Sequence, residues 1–288
     1  MTGNVKAQVL RERLAKGEFI LVPGIYDGIS ARVADSMGFP ALYMTGYGAT
    51  ASALGLPDAG LATYSEMVGR AEMICSITHT PLIADADTGY GGLINVQRTV
   101  RGYEAAGVAA IQIEDQEMPK KCGHTPGRRV VPAEDMVLKI KVAVDARRHA
   151  ETMIVARTDA RTAHGLDEAL RRAKLYEAAG ADIIFVESPE SEAELEKIGR
   201  EVEKPLLANM VEFGKTPRVE AARLRQWGFD LAIYPGLGFS VAAEAMRQAW
   251  EHLKQAGTST GMNVPQFRDM HELMGFAEVW DFEKRWAQ

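Results

Sequence analysis

The sequence predicts an α/β protein, a closed (β/α)8 TIM barrel with extra C-terminal helices, and three observations carry that expectation. First, amphipathic stretches repeatedly end at a glycine (Gly38, Gly107, Gly180, Gly228), and each glycine is followed by a short apolar run. A glycine just past a helix supplies the left-handed residue that stops it, and a short buried run then reads as a parallel strand. Second, eight such runs occur, at residues 19–22, 41–44, 81–84, 109–113, 153–156, 183–186, 205–208 and 231–233, most of them separated by enough chain for a crossover helix. Third, the runs end in polar or small residues at their C-terminal ends, which is the face where this architecture gathers its chemistry. A doubly wound open sheet is the alternative, but no glycine-rich fingerprint follows the first run.

Taken in order, Val5, Val9, Leu10 and Leu14 mark one face of a short first helix. The eight runs and their helices follow without a linker, a low-complexity tract or a charge block. Residues 1–288 are therefore read as one barrel domain, with 240–288 as a C-terminal helical extension. Within it, 242–254 and 270–286 look helical around a loop at 257–264. This exceeds what one barrel helix needs, so part of it is expected to pack on a neighbouring subunit.

Composition narrows the function classes. A net charge of −6 argues against nucleic acid or an anionic membrane surface as the main partner. No apolar run approaches the roughly 18 residues that span a bilayer, and the N-terminus has no apolar signal core. Two cysteines in 288 residues suit a reducing compartment, so a cytoplasmic location is expected. Cys75, inside an apolar stretch, reads as a buried structural thiol.

The run ends supply Tyr26 and Asp27, Thr45 and Gly46, Asp85 and Asp87, Glu114 and Asp115, Arg157 and Asp159, Glu187, Asn209 and Glu212, and Tyr234. Asp27 and Asp159 each read equally well as helix caps. Asp85-Ala86-Asp87 would place two carboxylates on one side of an extended segment. Two carboxylates that close repel unless protons or a cation compensate. An all-oxygen set suits Mg²⁺ or Mn²⁺ better than zinc, and the histidine spacings match no zinc site. Glu114 is the natural third carboxylate. Thr88 to Gly92 reads as a mobile turn. In Thr45-Gly46-Tyr47-Gly48, backbone N–H groups could hold a carboxylate, although a plain glycine turn is the simpler reading. Lys120-Lys121-Cys122-Gly123-His124 flanks a thiol with cations that would lower its pKa from about 8.5, unless the stretch is a solvated basic loop.

Six stretches in matching order then make the chain resemble the isocitrate lyase/phosphoenolpyruvate mutase superfamily. They are Tyr43 to Gly46 with Leu54 to Asp58, Asp85 to Gly91, Glu114 to Gln116, Lys120 to His124, Ala156 to Ala160, and Asn209 to Glu212. The similarity is greatest to the branch holding petal death protein, carboxyvinyl-carboxyphosphonate phosphorylmutase and methylisocitrate lyase. It implies a Mg²⁺-dependent barrel whose last helix is exchanged between subunits, in a homotetramer acting on a small carboxylic acid. It implies that Asp85, Asp87 and Glu114, with Asp58 more distantly, hold the metal. Thr45, Gly46 and Arg157 would bind the 2-oxo-acid half of the substrate, with Glu187 and Asn209 contributing, and Lys120 to His124 would be a gating loop. In the lyase branch the loop cysteine is the acid/base, which makes Cys122 the expected proton donor.

The resulting expectation is carbon–carbon cleavage of a 2-hydroxy dicarboxylate, of the substituted-malate or 2-methylisocitrate type, with Tyr43 as base, Arg157 as carboxylate clamp and Lys120, Gly123 and His124 closing the site. Ser240 stands where methylisocitrate lyases carry arginine, which weakens the case for a third substrate carboxylate. Tyr47 replaces a small residue and would narrow the pocket. Pro235 stands where fungal oxaloacetate hydrolases carry serine. The alternatives are a phosphorylmutase, an oxaloacetate hydrolase, and a catalytically silent binding protein, the last opposed by the intact carboxylates.

Overall fold

The computed structural model describes residues 4–287. Eight parallel strands close into a barrel in sequence order: β1 (Ile20–Ile25), β2 (Leu42–Met44), β3 (Leu82–Asp85), β4 (Ala110–Glu114), β5 (Met153–Thr158), β6 (Ile183–Val186), β7 (Leu206–Asn209) and β8 (Leu231–Tyr234). Ahead of them lies α1 (Val5–Ala15). Around the barrel run α2 (Gly28–Ser36), α3 (Gly46–Leu54), α4 (Tyr64–Ile77), α5 (Leu93–Ala105), α6 (Ala133–Ala146), α7 (Ala160–His164), α8 (Leu166–Ala178), α9 (Glu192–Glu201) and α10 (Ala221–Gln226). After β8 come α11 (Leu237–Ala256), α12 (Phe267–Leu273) and α13 (Phe276–Trp286).

Every expected strand is present, within a few residues of the expected bounds. The largest difference is β1, which continues past the expected end at Val22 through Pro23-Gly24. Pro23 pairs in register with Tyr234, and a Cβ at Gly24 would lie 2.5 Å from Pro235 backbone, so the glycine lets two strand ends meet. The first helix is where it was expected, but its buried face is Ala7, Leu10 and Leu14, while Val5 and Val9 face outward. Those three side chains join Ile20, Val22 and Leu231 in the inner core, so α1 plugs the bottom of the barrel. The stretch 270–286 is not one helix, because Gly275 takes φ 83° and divides α12 from α13.

The interior changes character from bottom to top. Strand side chains alternate between barrel interior and helix layer. On β4 the interior set is Ala110, Gln112 and Glu114; on β5 it is Met153, Val155 and Arg157. Apolar residues fill the lower layers, and charged ones cap the top. The outward set, including Ile111, Ile113, Ile154 and Ala156, packs against the helices in a second, larger core. The fold thus presents the strand-end carboxylates to one another on an apolar floor.

Candidate active site

A cavity of about 220 Å³ opens at the C-terminal ends of the strands. The residues expected to hold the metal, bind substrate or act in catalysis all line it except Gly46 and Asp87, whereas the run-end residues Tyr26, Asp27, Asp115, Asp159, Glu212 and Tyr234 lie outside its lining. Gly46 packs on the carboxylate of Asp85, which a Cβ there would meet at 2.6 Å, and Asp87 lies behind Lys120.

Asp85 and Asp87 converge by a turn rather than by strand alternation. β3 ends at Asp85, Asp87 adopts φ 48°, and its N–H donates to Asp85 Oδ1 at 2.9 Å. The following segment is pinned, contrary to the expected mobile turn. Tyr103 Oη donates to the Asp85 carbonyl at 3.1 Å and pairs with Tyr90 Oη at 3.0 Å, while Thr99 Oγ1 donates to the Gly89 carbonyl.

Glu114 and Arg157 are register neighbours on β4 and β5, with Nε 3.3 Å from Oε2. Glu114 Oε1 is buried without a hydrogen-bond partner, and burial holds this carboxyl well above its usual range despite Arg157. Asp159 is not a side-chain helix cap; its carboxylate takes a bidentate bond from Arg157, at 2.9 and 3.0 Å, and a third contact from Arg128. Burial would raise this carboxyl, but the two guanidiniums outweigh it and hold it below the ordinary range. Asp27 does cap α2, in a reciprocal capping box with Ser30.

The segment after β4 folds over the cavity. Its stem is fixed by the bridge between Gln116 and Val130, and its tip lies on Arg157 and Glu187. A Cβ at Gly123 would stand 2.5 Å from Arg157 Nη2. His124 Nδ1 accepts from the Lys215 N–H at 3.1 Å, which leaves the proton of a neutral ring on Nε2, 3.4 Å from Glu187 Oε1. Burial keeps this imidazole below its ordinary pKa, against the pull of Glu187.

Two expectations for this loop and its partners are corrected. The flanking cations do not depress the Cys122 thiol. The Lys120 ammonium lies 2.5 Å from Asp58 Oδ1 and 2.6 Å from Asp87 Oδ1, and Lys121 turns toward Gly127, so burial dominates and pushes the thiol up. Tyr43 does not suit the role of base. Its hydroxyl donates to Gln112 Oε1 at 3.1 Å, and burial together with Asp85 raises the phenol well above its usual value. Cys75, also pushed up by burial, to about 11, fits a structural thiol.

Among the described residues, no three acidic, histidine or cysteine side chains are arranged to hold a metal ion as they stand. The Lys120 ammonium already bridges two of the expected carboxylates. The donor chemistry nevertheless fits a hard divalent cation: the set is all oxygen, Asp87 is raised to about 6 chiefly by burial, and Glu114 Oε1 lacks a partner. Accommodating the ion requires Lys120 to withdraw.

Sequence reading missed Gln112, Arg128 and Ser188. Gln112 had a usable signal, a lone amide in an otherwise apolar strand. Arg128 was hidden in a lid arginine pair. Ser188, at φ 58°, gave no signal at all.

Comparison with known proteins agrees with this geometry. A family model described as phosphoenolpyruvate phosphomutase matches residues 10–254. The 2,3-dimethylmalate lyase of Eubacterium barkeri is 49% identical over 98% of both chains. The 2-methylisocitrate lyase of Aeropyrum pernix is 45% identical over 97% of this chain and 90% of that one. Among solved structures, an oxaloacetate acetylhydrolase with 3,3-difluorooxalacetate superposes with a TM-score of 0.94 at 34% identity, over 99% and 98% of the two chains. A phosphonopyruvate hydrolase complexed with oxalate and Mg²⁺ gives 0.89 at 28%, over 98% and 99%. By the family model that spans most of its length and by its curated relatives, the chain belongs to the phosphoenolpyruvate phosphomutase family, within the isocitrate lyase/PEP mutase superfamily.

Proposed function

We propose that the protein is a Mg²⁺-dependent carbon–carbon lyase that cleaves an alkyl-substituted malate to a 2-oxo acid and a carboxylic acid. One observation carries the reading: a lid thiol held protonated faces the strand-end carboxylates and Arg157 across a single cavity. Its remaining wall is apolar, with Val211, Pro235 and Phe239, and Tyr47 packs its ring edge-on against Phe239 at 5.7 Å. An alkyl group on C3 fits that wall, and no guanidinium stands at Ser240 to receive a third carboxylate.

Asp85, Asp87 and Glu114, with Asp58, would hold the ion, whose chemistry is Lewis-acid polarisation of the substrate's 2-oxygen and C1 carboxylate. Arg157 pairs bidentately with a substrate carboxylate, and the free N–H groups at the start of α3, after Thr45, receive its oxygens. Asn209 holds the 2-oxygen as a donor, and Tyr43, its proton committed to Gln112, lines the cavity beside it. Glu114 accepts the hydroxyl proton at Oε1. The electron pair left on the 2-oxygen forms the ketone as C2–C3 breaks, and the C2–C3 pair becomes a carboxylate-stabilised enolate. Cys122 gives its Sγ proton to C3. Proton return from Glu114 to Cys122 through solvent resets the site when the lid opens. His124 and Glu187 keep the lid seated, and Lys120, which neutralises Asp58 and Asp87 in the ion-free site, would swing off them when the ion is held.

We further propose a homotetrameric assembly in the cytoplasm. α11 has no buried residue, and its Trp250 is exposed, which suits a helix covered by another copy. The decisive experiment incubates the protein with Mg²⁺ and 2,3-dimethylmalate, 2-methylisocitrate, oxaloacetate or carboxyphosphonoenolpyruvate. Pyruvate from a hydroxy acid, lost on chelation and restored by Mg²⁺, is expected. Turnover of the phosphonate alone would replace the lyase with the phosphorylmutase.

A further inference from the structure

We propose that Arg128 is a positioning residue that couples lid closure to the orientation of the carboxylate clamp, Arg157. The inference extends the proposed function, since it concerns the same cavity. Arg128 does not line that cavity, and its side chain is fully buried on the returning arm of the lid. It reaches Asp159 Oδ1, the same oxygen that accepts from Arg157 Nη2 at 3.0 Å. Its other terminal nitrogen bonds Thr162 Oγ1 and lies 3.5 Å from Ser188 Oγ. Ser188 Oγ in turn donates to the Gly123 carbonyl at the lid tip, at 2.7 Å, beside Glu187.

The tip and the returning arm of the lid are thus tied to adjacent strand ends. The tip is held at the end of β6 through Ser188, and the returning arm at the end of β5 through Asp159. Arg157 is oriented by Asp159 and stands 3.4 Å from Glu187. When the lid lifts, Asp159 loses one of two guanidiniums, and Gly123 leaves the face of Arg157. The Arg157 fork sets the plane of the buried carboxylate, and Arg128 on Oδ1 anchors that fork against the lid, so losing Arg128 frees carboxylate and clamp to shift together. Lid position and clamp geometry are then one equilibrium, and a ligand that favours the oriented clamp favours the closed lid by the same factor.

The test uses the full-length protein and oxalate with Mg²⁺, a planar dicarboxylate probe that requires no turnover. Two quantities are measured: the rate of tryptic cleavage after Lys121, which reports lid opening, and oxalate affinity by calorimetry. In wild type, oxalate slows the cleavage. In Arg128→Gln, cleavage accelerates and oxalate binds more weakly, each by about tenfold. Arg128→Lys, which keeps the charge with one reaching donor, shifts both in the same direction by less, and serves also if the glutamine variant does not fold. Faster cleavage with oxalate affinity unchanged would make Arg128 only a lid anchor and overturn the coupling. So would a wild-type lid that oxalate does not protect. Because neither readout depends on turnover, the proposed lyase activity can fail while the coupling stands.

Discussion

Gly123 rests directly on Arg157, so closely that a methyl group on its α-carbon would lie 2.5 Å from the guanidinium Nη2 and 2.7 Å from Glu187 Cδ. The lid can seat only if this residue has no side chain. Gly123→Ala is expected to hold the lid off the clamp and lower kcat/KM by about 10², while thermal unfolding stays close to wild type because the apolar cores lie below. Steady-state kinetics and calorimetry test this, and an alanine variant with full activity would show that the lid does not close this way in turnover.

Cys122 is raised by burial and so enters the reaction as a thiol, which is the form a proton donor needs. Cys122→Ser is expected to reduce kcat by roughly 10² or more, with oxalate affinity retained. The acid must be protonated to work, so the alkaline limb of the kcat profile should fall only above the ordinary thiol value of about 8.5. A limb that falls well below that pH, or a serine variant near wild-type turnover, would remove the thiol from the mechanism.

Asp159 balances two buried guanidiniums, and Asp159→Asn leaves both short of charge. Breaking such a pair is expected to cost about 3 kcal/mol of stability and to abolish turnover, read by denaturant unfolding and kinetics. The carboxyl's folded-state pKa lies below the ordinary value, so its contribution is present above about pH 3.9 and disappears as pH falls through the folded value. Wild type and the asparagine variant should therefore converge in stability at strongly acid pH.

Ser240 lines the cavity alongside Phe239 of the apolar wall. Ser240→Arg would bring a cation to a third carboxylate, and the ratio of kcat/KM for 2-methylisocitrate to that for 2,3-dimethylmalate is expected to rise about tenfold or more. An unchanged ratio would place the discriminating contact elsewhere.

The barrel was legible because glycine stops and apolar runs are local signals, and strand order follows once eight parallel units must close. Most cavity residues were legible for the same reason, since a polar residue at the end of a buried run has few other places to go. What failed were readings that depend on tertiary neighbours. Lys120 was expected to activate Cys122, but it points to Asp58 and Asp87, and the buried carboxylates around it hold the ammonium charged against the cost of burial. Tyr43 was expected to accept a proton, yet its deep position beside Gln112 and Asp85 keeps the phenol intact. Arg128 and Ser188 matter through residues some 30 to 65 positions away, a separation that no local pattern encodes.

Glu114, Asp115 and Gln116 serve three different masters. Glu114 faces the cavity. Asp115 turns into the wall, where it takes bonds from Thr158, Arg172, Tyr176 and the Asp159 N–H. Gln116 exchanges two bonds with the Lys121 backbone at the base of the lid. A residue inserted or deleted within this tripeptide would put all three out of phase at once. Changes in lid length that keep these contacts must therefore fall between His124 and Arg128, where the loop can lengthen or shorten without shifting the phase of the strand or the seat of the tip.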